Sequence, residues 1–226
     1  MEIIKMNEEF LSLDPREGPT LDKTVVLILG PEKSGTKLTT RCFVETMGCF
    51  GDEKIDGTII DGKDPLVVRF DLPTTNSSNN DSAAYVQMQH LTQHFKSKGF
   101  NVKVLITTRD VKSNAEAIKN YYNENKKYVG LDDNYRFNIN PNEHLIEDGD
   151  SVMDDKMSIK IIQSAYSEIF KGIIVEDLPF CFSNYEELLN NTEQHLRSLA
   201  QFFELEFTGV ENLSIEPENK ETCNVE

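Results

Sequence analysis

The chain has no tryptophan, only four cysteines and no long apolar segment, and each of these shortages narrows what it can be. Cys42, Cys49, Cys181 and Cys223 show no CxxC or zinc-type spacing, and 226 residues can fold without disulfides. We therefore expect reduced, packed thiols and a cytoplasmic protein. No stretch has the length and hydrophobicity of a membrane span, and the first residues lack the apolar core of a signal peptide.

Basic residues are also in short supply. The chain has 23 Lys and Arg against 39 Asp and Glu, which gives a formal net charge of −16. Such a charge repels nucleic acid and anionic membranes, so we expect neither as a partner. Any anionic ligand needs a local cluster of cations.

Strand and helix patterns alternate along the chain, which predicts a single domain over residues 1–226. Apolar runs predict strands at 25–29, 66–70 and 102–107. Helical periodicity and stop signals predict helices at 36–47, 82–98, 111–125, 158–170 and 192–203. This alternation predicts an α/β fold, a three-layer α/β/α sandwich with a central parallel sheet and its ligand at the carboxyl ends of the strands.

Three segments lack a sustained period. Residues 1–22 are predicted to be a polar N-terminal arm, and residues 211–226 an acidic tail. Residues 126–157 are rich in Asp and Asn and form an irregular insertion, a kind of segment that is usually functional or disordered. Residues 74–81 are polar and are predicted to be a mobile loop.

The residues from Gly30 to Lys37, GPEKSGTK, stand between a predicted strand and a predicted helix. Loop N–H groups and the free N–H groups of a helix start converge there on an anion. The Gly-x4-Gly spacing is that of a phosphate-binding loop, but Gly35-Thr36-Lys37 replaces Gly-Lys-Ser/Thr, whose hydroxyl holds Mg²⁺. The loop therefore predicts a phosphate or sulfate site and fits magnesium-ATP poorly. The plain alternative is an ordinary strand-to-helix turn with exposed lysines.

Two more strand ends carry charged residues. Arg69 and Asp71 end the second predicted strand, and Arg109 and Asp110 follow the third. Together they would gather two cations and a base around a doubly anionic nucleotide. Alternatively, Arg109 and Asp110 cap the next helix and Arg69 pairs with a neighbouring carboxylate.

Lys33-Ser34-Gly35-Thr36, preceded by Gly30-Pro31, resembles the 5′-phosphosulfate loop of sulfotransferases, usually Pro-Lys/Arg-Ser-Gly-Thr-Thr. Arg109-Asp110 is similar to their 3′-phosphate element Arg-Asp-Pro, and residues 185–205 are similar to their Tyr-Glu-Asp-Leu…Phe-Leu-Gly-Leu segment. The resemblance implies a P-loop type of fold. It also implies transfer of a sulfuryl group from 3′-phosphoadenosine 5′-phosphosulfate (PAPS) to a hydroxyl or amine of a small-molecule or carbohydrate acceptor. Where the resemblance is weakest, we expect the irregular insertion 126–157 to be an acceptor lid.

The resemblance also assigns roles. Residues 69–73 are similar to Lys-Ser/Thr-His-Leu-Pro, so Asp71 takes the position of the catalytic His and Arg69 that of the Lys. Lys33 would neutralise the bridging oxygen without a metal ion. The implied donor-binding residues are Pro31, Lys33, Ser34, Gly35, Thr36, Lys37, Arg109 and Ser113.

The chain departs from the family pattern at three positions. Lys37 replaces a second Thr, Val111 replaces a Pro, and Ala117 stands where a Ser is usual, so Ser113, one helical turn earlier, is the implied substitute. Two alternatives remain at this point. One is a small-molecule or nucleotide kinase that uses ATP and magnesium, with Asp110 as the metal carboxylate, and the other is a non-catalytic nucleotide-binding protein of the same fold.

Overall fold

The structure is a computed structural model that describes residues 23–51, 64–72, 74–75, 83–84, 88–125, 153–211, 213 and 215. The predicted arm 1–22, residues 126–152 of the predicted insertion and residues 216–226 of the predicted tail lie outside the described residues. These three assignments stay predictions.

The described chain alternates strands and helices as the sequence predicts. Its elements are β1 (Lys23–Pro31), α1 (Thr36–Met47), β2 (Leu66–Leu72), β3 (Thr74–Thr75), β4 (Ala83–Ala84), α2 (Met88–Ser97), β5 (Phe100–Thr108), α3 (Val111–Asn125), α4 (Asp155–Glu176), β6 (Phe180–Asn184), α5 (Tyr185–Asn190) and α6 (Thr192–Phe203). Four strands form one sheet in the order β2-β1-β5-β6, and every neighbouring pair is parallel. The predicted parallel sheet is therefore confirmed.

Strand β1 lies inside this sheet and is covered on both faces. Val25, Leu27 and Leu29 pack with α2 and α4, whereas Val26 and Ile28 pack with α1, α5 and α6. All five side chains are fully buried. Both faces being covered explains why the strand is a continuous apolar run without alternation, and it confirms the three-layer arrangement.

Two element boundaries differ from the prediction. Ala83–Ala84 pairs antiparallel with Thr74–Thr75, so α2 begins at Met88 instead of residue 82, and residues 74–75 are a short strand instead of loop. Alanine favours helix intrinsically, but such a preference is weak and pairing with a second strand overrides it here.

Helix α4 begins at Asp155, three residues inside the segment predicted to be irregular. Asp154 caps it, since its carboxylate accepts a hydrogen bond from the Met157 N–H at 2.7 Å. The helix also extends six residues past its predicted end, because Ile173 continues the buried face. Beyond α6, Leu213 and Ile215 pack against the core, so the start of the predicted tail is packed.

The strand order fixes where a ligand can bind. The chain passes from β1 to β2 on one side of β1, and later places β5 on its other side. Loops leaving β1 and β5 therefore diverge and leave a crevice at the carboxyl edge of the sheet. The loop 30–37 follows β1, and Arg109 follows β5.

Candidate functional site

The loop after β1 has the backbone shape of an anion site. Lys33 and Gly35 both have positive φ, 61° and 96°, and the Ser34 N–H closes a turn onto the Pro31 carbonyl at 3.1 Å. Left-handed residues beside ordinary ones form the concavities of N–H groups that bind anions. Gly35, the N-cap of α1, has no side chain to cover the N–H groups that follow it. The N-terminus of α1 therefore has no side-chain cap.

Close packing against β5 holds this loop. Ser34 is fully buried, and its hydroxyl lies 2.6 Å from the hydroxyl of Thr107. A Cβ on Gly30 would overlap both hydroxyls, so only glycine fits there. Tyr166 of α4 donates to the Thr107 carbonyl at 3.1 Å, and burial raises the pKa of Tyr166 to about 12. Tyr166 is thus a neutral anchor, and Ser34 serves the shape of the loop.

Strand β2 brings Asp71 to the start of α1. Asp71 pairs in register with Gly30, and its carboxylate accepts a hydrogen bond from the hydroxyl of Thr36. Arg69 Nε lies 3.7 Å from the other carboxylate oxygen, and the Asp71 side chain is 35 % exposed. The structure therefore brings Arg69 and Asp71 to the loop, and it also contains the ion pair that the plain alternative expected.

Arg109, after β5, supports the loop from the opposite side. One guanidinium nitrogen donates to the Lys33 carbonyl at 3.0 Å, and the group lies over the Tyr185 ring, 4.6 Å from its centroid. The Tyr185 ring also fills the space that a Cβ on Gly35 would need. Arg109 Nε is buried and has no hydrogen-bond partner within the described part of the chain. A buried donor without a partner is uncommon and calls for an explanation.

Asp110 and Ser113 begin α3 as a local cap. The N–H and the hydroxyl of Ser113 both donate to one Asp110 oxygen at 2.9 Å. These two bonds hold the pKa of Asp110 below its ordinary value. Asp110 therefore caps helix α3, which is the plain alternative for this residue. The Ser113 hydroxyl faces Asp110 in this structure.

The two loop lysines lie at the edge of the crevice. Lys33 Nζ is 4.1 Å from the centre of the Tyr121 ring, at cation–π distance, and the Lys33 side chain is half-buried. Lys37, in the first turn of α1, is also half-buried. Within the described ranges, no three His, Cys, Asp or Glu side chains are grouped as metal ligands.

Sequence analysis missed Asn114, which is 1 % exposed and lies under the loop. In the orientation that lets its amide nitrogen donate, that nitrogen is 3.0 Å from the Glu32 carbonyl and 3.1 Å from the Lys33 carbonyl. One signal was available, because Asn114 lies one turn before the apolar Ile118 on a predicted helix. A polar residue on an apolar helix face needs a buried partner.

A parallel sheet with an uncapped helix N-terminus, cations and a carboxylate at its carboxyl edge defines an α/β protein with a candidate anion site. More narrowly, the chain matches the family model of the sulfotransferase domain over residues 23–223, and it therefore belongs to the sulfotransferase family. The family consists of transferases, so the inferred resemblance and the enzyme class are confirmed. The match also favours sulfuryl transfer over the kinase alternative. A search of curated proteins returned no match. None of the described helices is both long and apolar enough to cross a bilayer.

Proposed function

We propose that this enzyme transfers a sulfuryl group from PAPS to a hydroxyl or amine of a small-molecule or carbohydrate acceptor. The observation that carries the proposal is the contact between Thr36 and Asp71, which joins the uncapped N-terminus of α1 to a partly exposed carboxylate. Direct transfer needs an anion site for the donor and a base for the acceptor side by side.

The donor's 5′-phosphosulfate would lie against the N-terminus of α1. The N–H groups of Gly35, Thr36 and Lys37 suit its oxygens, because the first N–H groups of a helix have no partner inside the helix. Lys33 would leave the Tyr121 ring and approach the oxygen that bridges phosphate and sulfur. A cation there stabilises the charge that develops as the bond breaks.

Arg109 supports a second phosphate contact, the 3′-phosphate of PAPS. Its guanidinium already lies on Tyr185 in a fixed orientation, and its buried Nε has a hydrogen to give. Ser113 would add its hydroxyl by exchanging the bond to Asp110 for a bond to the phosphate. The structure of PAPS, with phosphates on both sides of the ribose, fits two sites after neighbouring strands β1 and β5.

Asp71 would act as the base for the acceptor. It takes the proton of the attacking hydroxyl or amine as the new oxygen–sulfur or nitrogen–sulfur bond forms. The bond between sulfur and the bridging oxygen breaks, and its electron pair leaves on adenosine 3′,5′-bisphosphate. Arg69, beside Asp71, would orient the carboxylate. Lys33 supplies the positive charge that the leaving oxygen needs, so this mechanism calls for no metal ion.

Domain organisation and compartment belong to the same proposal. We assign residues 1–226 to one domain and the protein to the cytoplasm. The three cysteines described, Cys42, Cys49 and Cys181, are free, and burial raises the pKa of each to about 12. Such thiols stay protonated and serve as packing groups, as expected in a reducing compartment.

Ligand-induced thermal shifts test the donor. Adenosine 3′,5′-bisphosphate should raise the melting temperature more than AMP or ATP with Mg²⁺, because its two phosphates match both proposed phosphate sites. The shift is large enough to measure, since a ligand at a hundred times its Kd adds about 2.7 kcal/mol of stability. Equal shifts with AMP would rule out the 3′-phosphate site, and with it PAPS as the donor. A larger shift with ATP and Mg²⁺ would support the kinase alternative. Release of adenosine 3′,5′-bisphosphate from PAPS, measured with and without acceptor mixtures, then separates an enzyme from a non-catalytic binding protein.

A further inference from the structure

Asn114 lies beneath the strained backbone of the loop at Lys33. Lys33 is a non-glycine residue with a φ of 61°, a left-handed conformation that is strained for L-residues. Such a conformation persists only where the surroundings hold it. The peptide groups on either side of the Lys33 Cα are the ones that must be held.

The contacts of Asn114 hold both of these peptide groups. A side-chain amide has two N–H hydrogens, and its nitrogen lies at hydrogen-bond distance from two consecutive carbonyls, those of Glu32 and Lys33. In a trans peptide the N–H points opposite to the carbonyl, so the N–H of Lys33 points away from α3. With both flanking peptides fixed, the direction of the Cα–Cβ bond of Lys33 is fixed as well.

We propose that Asn114 is a positioning residue that sets the direction in which the Lys33 side chain leaves the loop. This inference rests on the proposed function, because the direction of the Lys33 side chain matters only if its ammonium must reach one oxygen of the donor. Arg109 also donates to the Lys33 carbonyl, but it contacts one of the two peptide groups only. Asn114 is 1 % exposed, so it supports the loop from beneath without touching the substrate.

Asn114→Asp is the sharpest variant, because it keeps the shape and removes both donors. Its carboxylate would face two carbonyl oxygens. Asn123→Asp is the matched control on the same helix. The Asn123 amide also makes two hydrogen bonds to the backbone, at Met153 and away from the loop. Its oxygen accepts from the Met153 N–H at 2.9 Å, and its nitrogen donates to the Met153 carbonyl at 3.2 Å. Asn114→Ser is a smaller variant that keeps one donor if the aspartate variant does not fold.

The expected result is a difference in turnover that stability does not explain. Both aspartate variants should lower the melting temperature, but only Asn114→Asp should reduce kcat, by about tenfold or more, with Asn114→Ser in between. In a Lys33→Ala background the Asn114 variants should cost little further turnover, since residues that act as one unit are not additive. Equal kcat in Asn114→Asp and Asn123→Asp, or full additivity with Lys33→Ala, would overturn the assignment.

Separate results reject the proposed function and the positioning role of Asn114. No turnover of PAPS by the wild-type protein would overturn the proposed function. The role of Asn114 would then be decided by the thermal shift with inorganic sulfate. Asn114→Asp must lose that shift and Asn123→Asp must keep it, and the opposite result rejects the positioning role.

Discussion

The two halves of the site differ in how firmly they are held. The loop after β1 is fixed by contacts from β5, α3 and α5, and Ser34 within it is fully buried. The end of β2 is half-exposed, and Asp71 is held by one hydroxyl and an ion pair at 3.7 Å. Preorganised dipoles stabilise charge best because they need not reorient during the reaction. Under the proposed function, the half that binds the donor is therefore held rigidly, and the half that receives the acceptor has room to adjust.

The difference predicts two kinds of failure. Substitutions at the buried positions of the loop should disturb both folding and the proposed donor binding, because shape and function share the same contacts there. The half-buried Lys33 side chain is the exception and should affect turnover alone. Substitutions at the end of β2 should disturb chemistry alone. The following experiments test this contrast.

Asp71→Asn should have the largest effect. It preserves shape and removes the base, so transfer to a hydroxyl should fall by roughly 10² to 10⁴ while adenosine 3′,5′-bisphosphate still binds. Steady-state turnover and ligand-induced thermal shifts measure the two. The control is Asp64→Asn, an exposed aspartate that accepts from the Thr24 N–H at 2.7 Å. Near-normal turnover with weakened folding would make Asp71 a structural partner of Arg69.

Lys33→Ala should cost turnover by about 10², the typical worth of one aimed electrostatic contact. The protein should stay folded, because a half-buried loop lysine contributes little apolar burial. Lys112→Ala, an exposed lysine on α3, is the matched control. A fall in soluble yield with unchanged specific activity would show that Lys33 serves the loop's structure instead.

Gly30→Ala tests the rigidity of the loop directly. The added methyl group overlaps the hydroxyls of Ser34 and Thr107, and overpacking a tight site typically costs about 1–3 kcal/mol of unfolding free energy. Chemical denaturation measures the loss. Gly48→Ala, where a methyl group meets open space at a φ of 63°, is the contrasting case in which only backbone strain is added. No measurable loss of stability in Gly30→Ala would mean that the loop can relax.

Acidification should lower the stability of the fold slightly. The groups responsible belong to neither half of the site. Burial lowers the pKa of His195 and of His94 below the ordinary 6.5, so the unfolded chain binds more protons as the pH falls through that value. The melting temperature should therefore decline between pH 7.5 and 5.5. His195→Gln should flatten the decline, and a profile that is unchanged by this substitution would exclude His195 as its source.

The parts of the site that lie close together in sequence were predictable. The loop and the start of α1 at Thr36 come from eight consecutive residues whose glycine spacing and flanking apolar run carry the signal. Asp71 was found because a strand end is visible as the end of an apolar run. In both cases a local pattern determines the local structure, and the sheet then brings the ends together.

The rest depends on contacts that no local pattern contains. Asn114 acts on carbonyls more than eighty residues earlier in the chain, so only the packed structure reveals its partners. The phosphate contact of Ser113 stays a prediction, and in this structure its hydroxyl bonds to Asp110, three residues earlier. The start of α2 was wrong because a strand pairing prevailed over alanine's preference for helix.

The hydrogen bond between Ser34 and Thr107 also sets an order of events during folding. The two hydroxyls are separated by 73 residues, so the chain must close that loop before the anion site has its shape. Contacts this distant in sequence form slowly, because closing a long loop costs entropy before any contact repays it. A chain emerging from the ribosome carries GPEKSGTK long before β5 exists. The loop therefore takes its final shape only after β1 and β5 have come together.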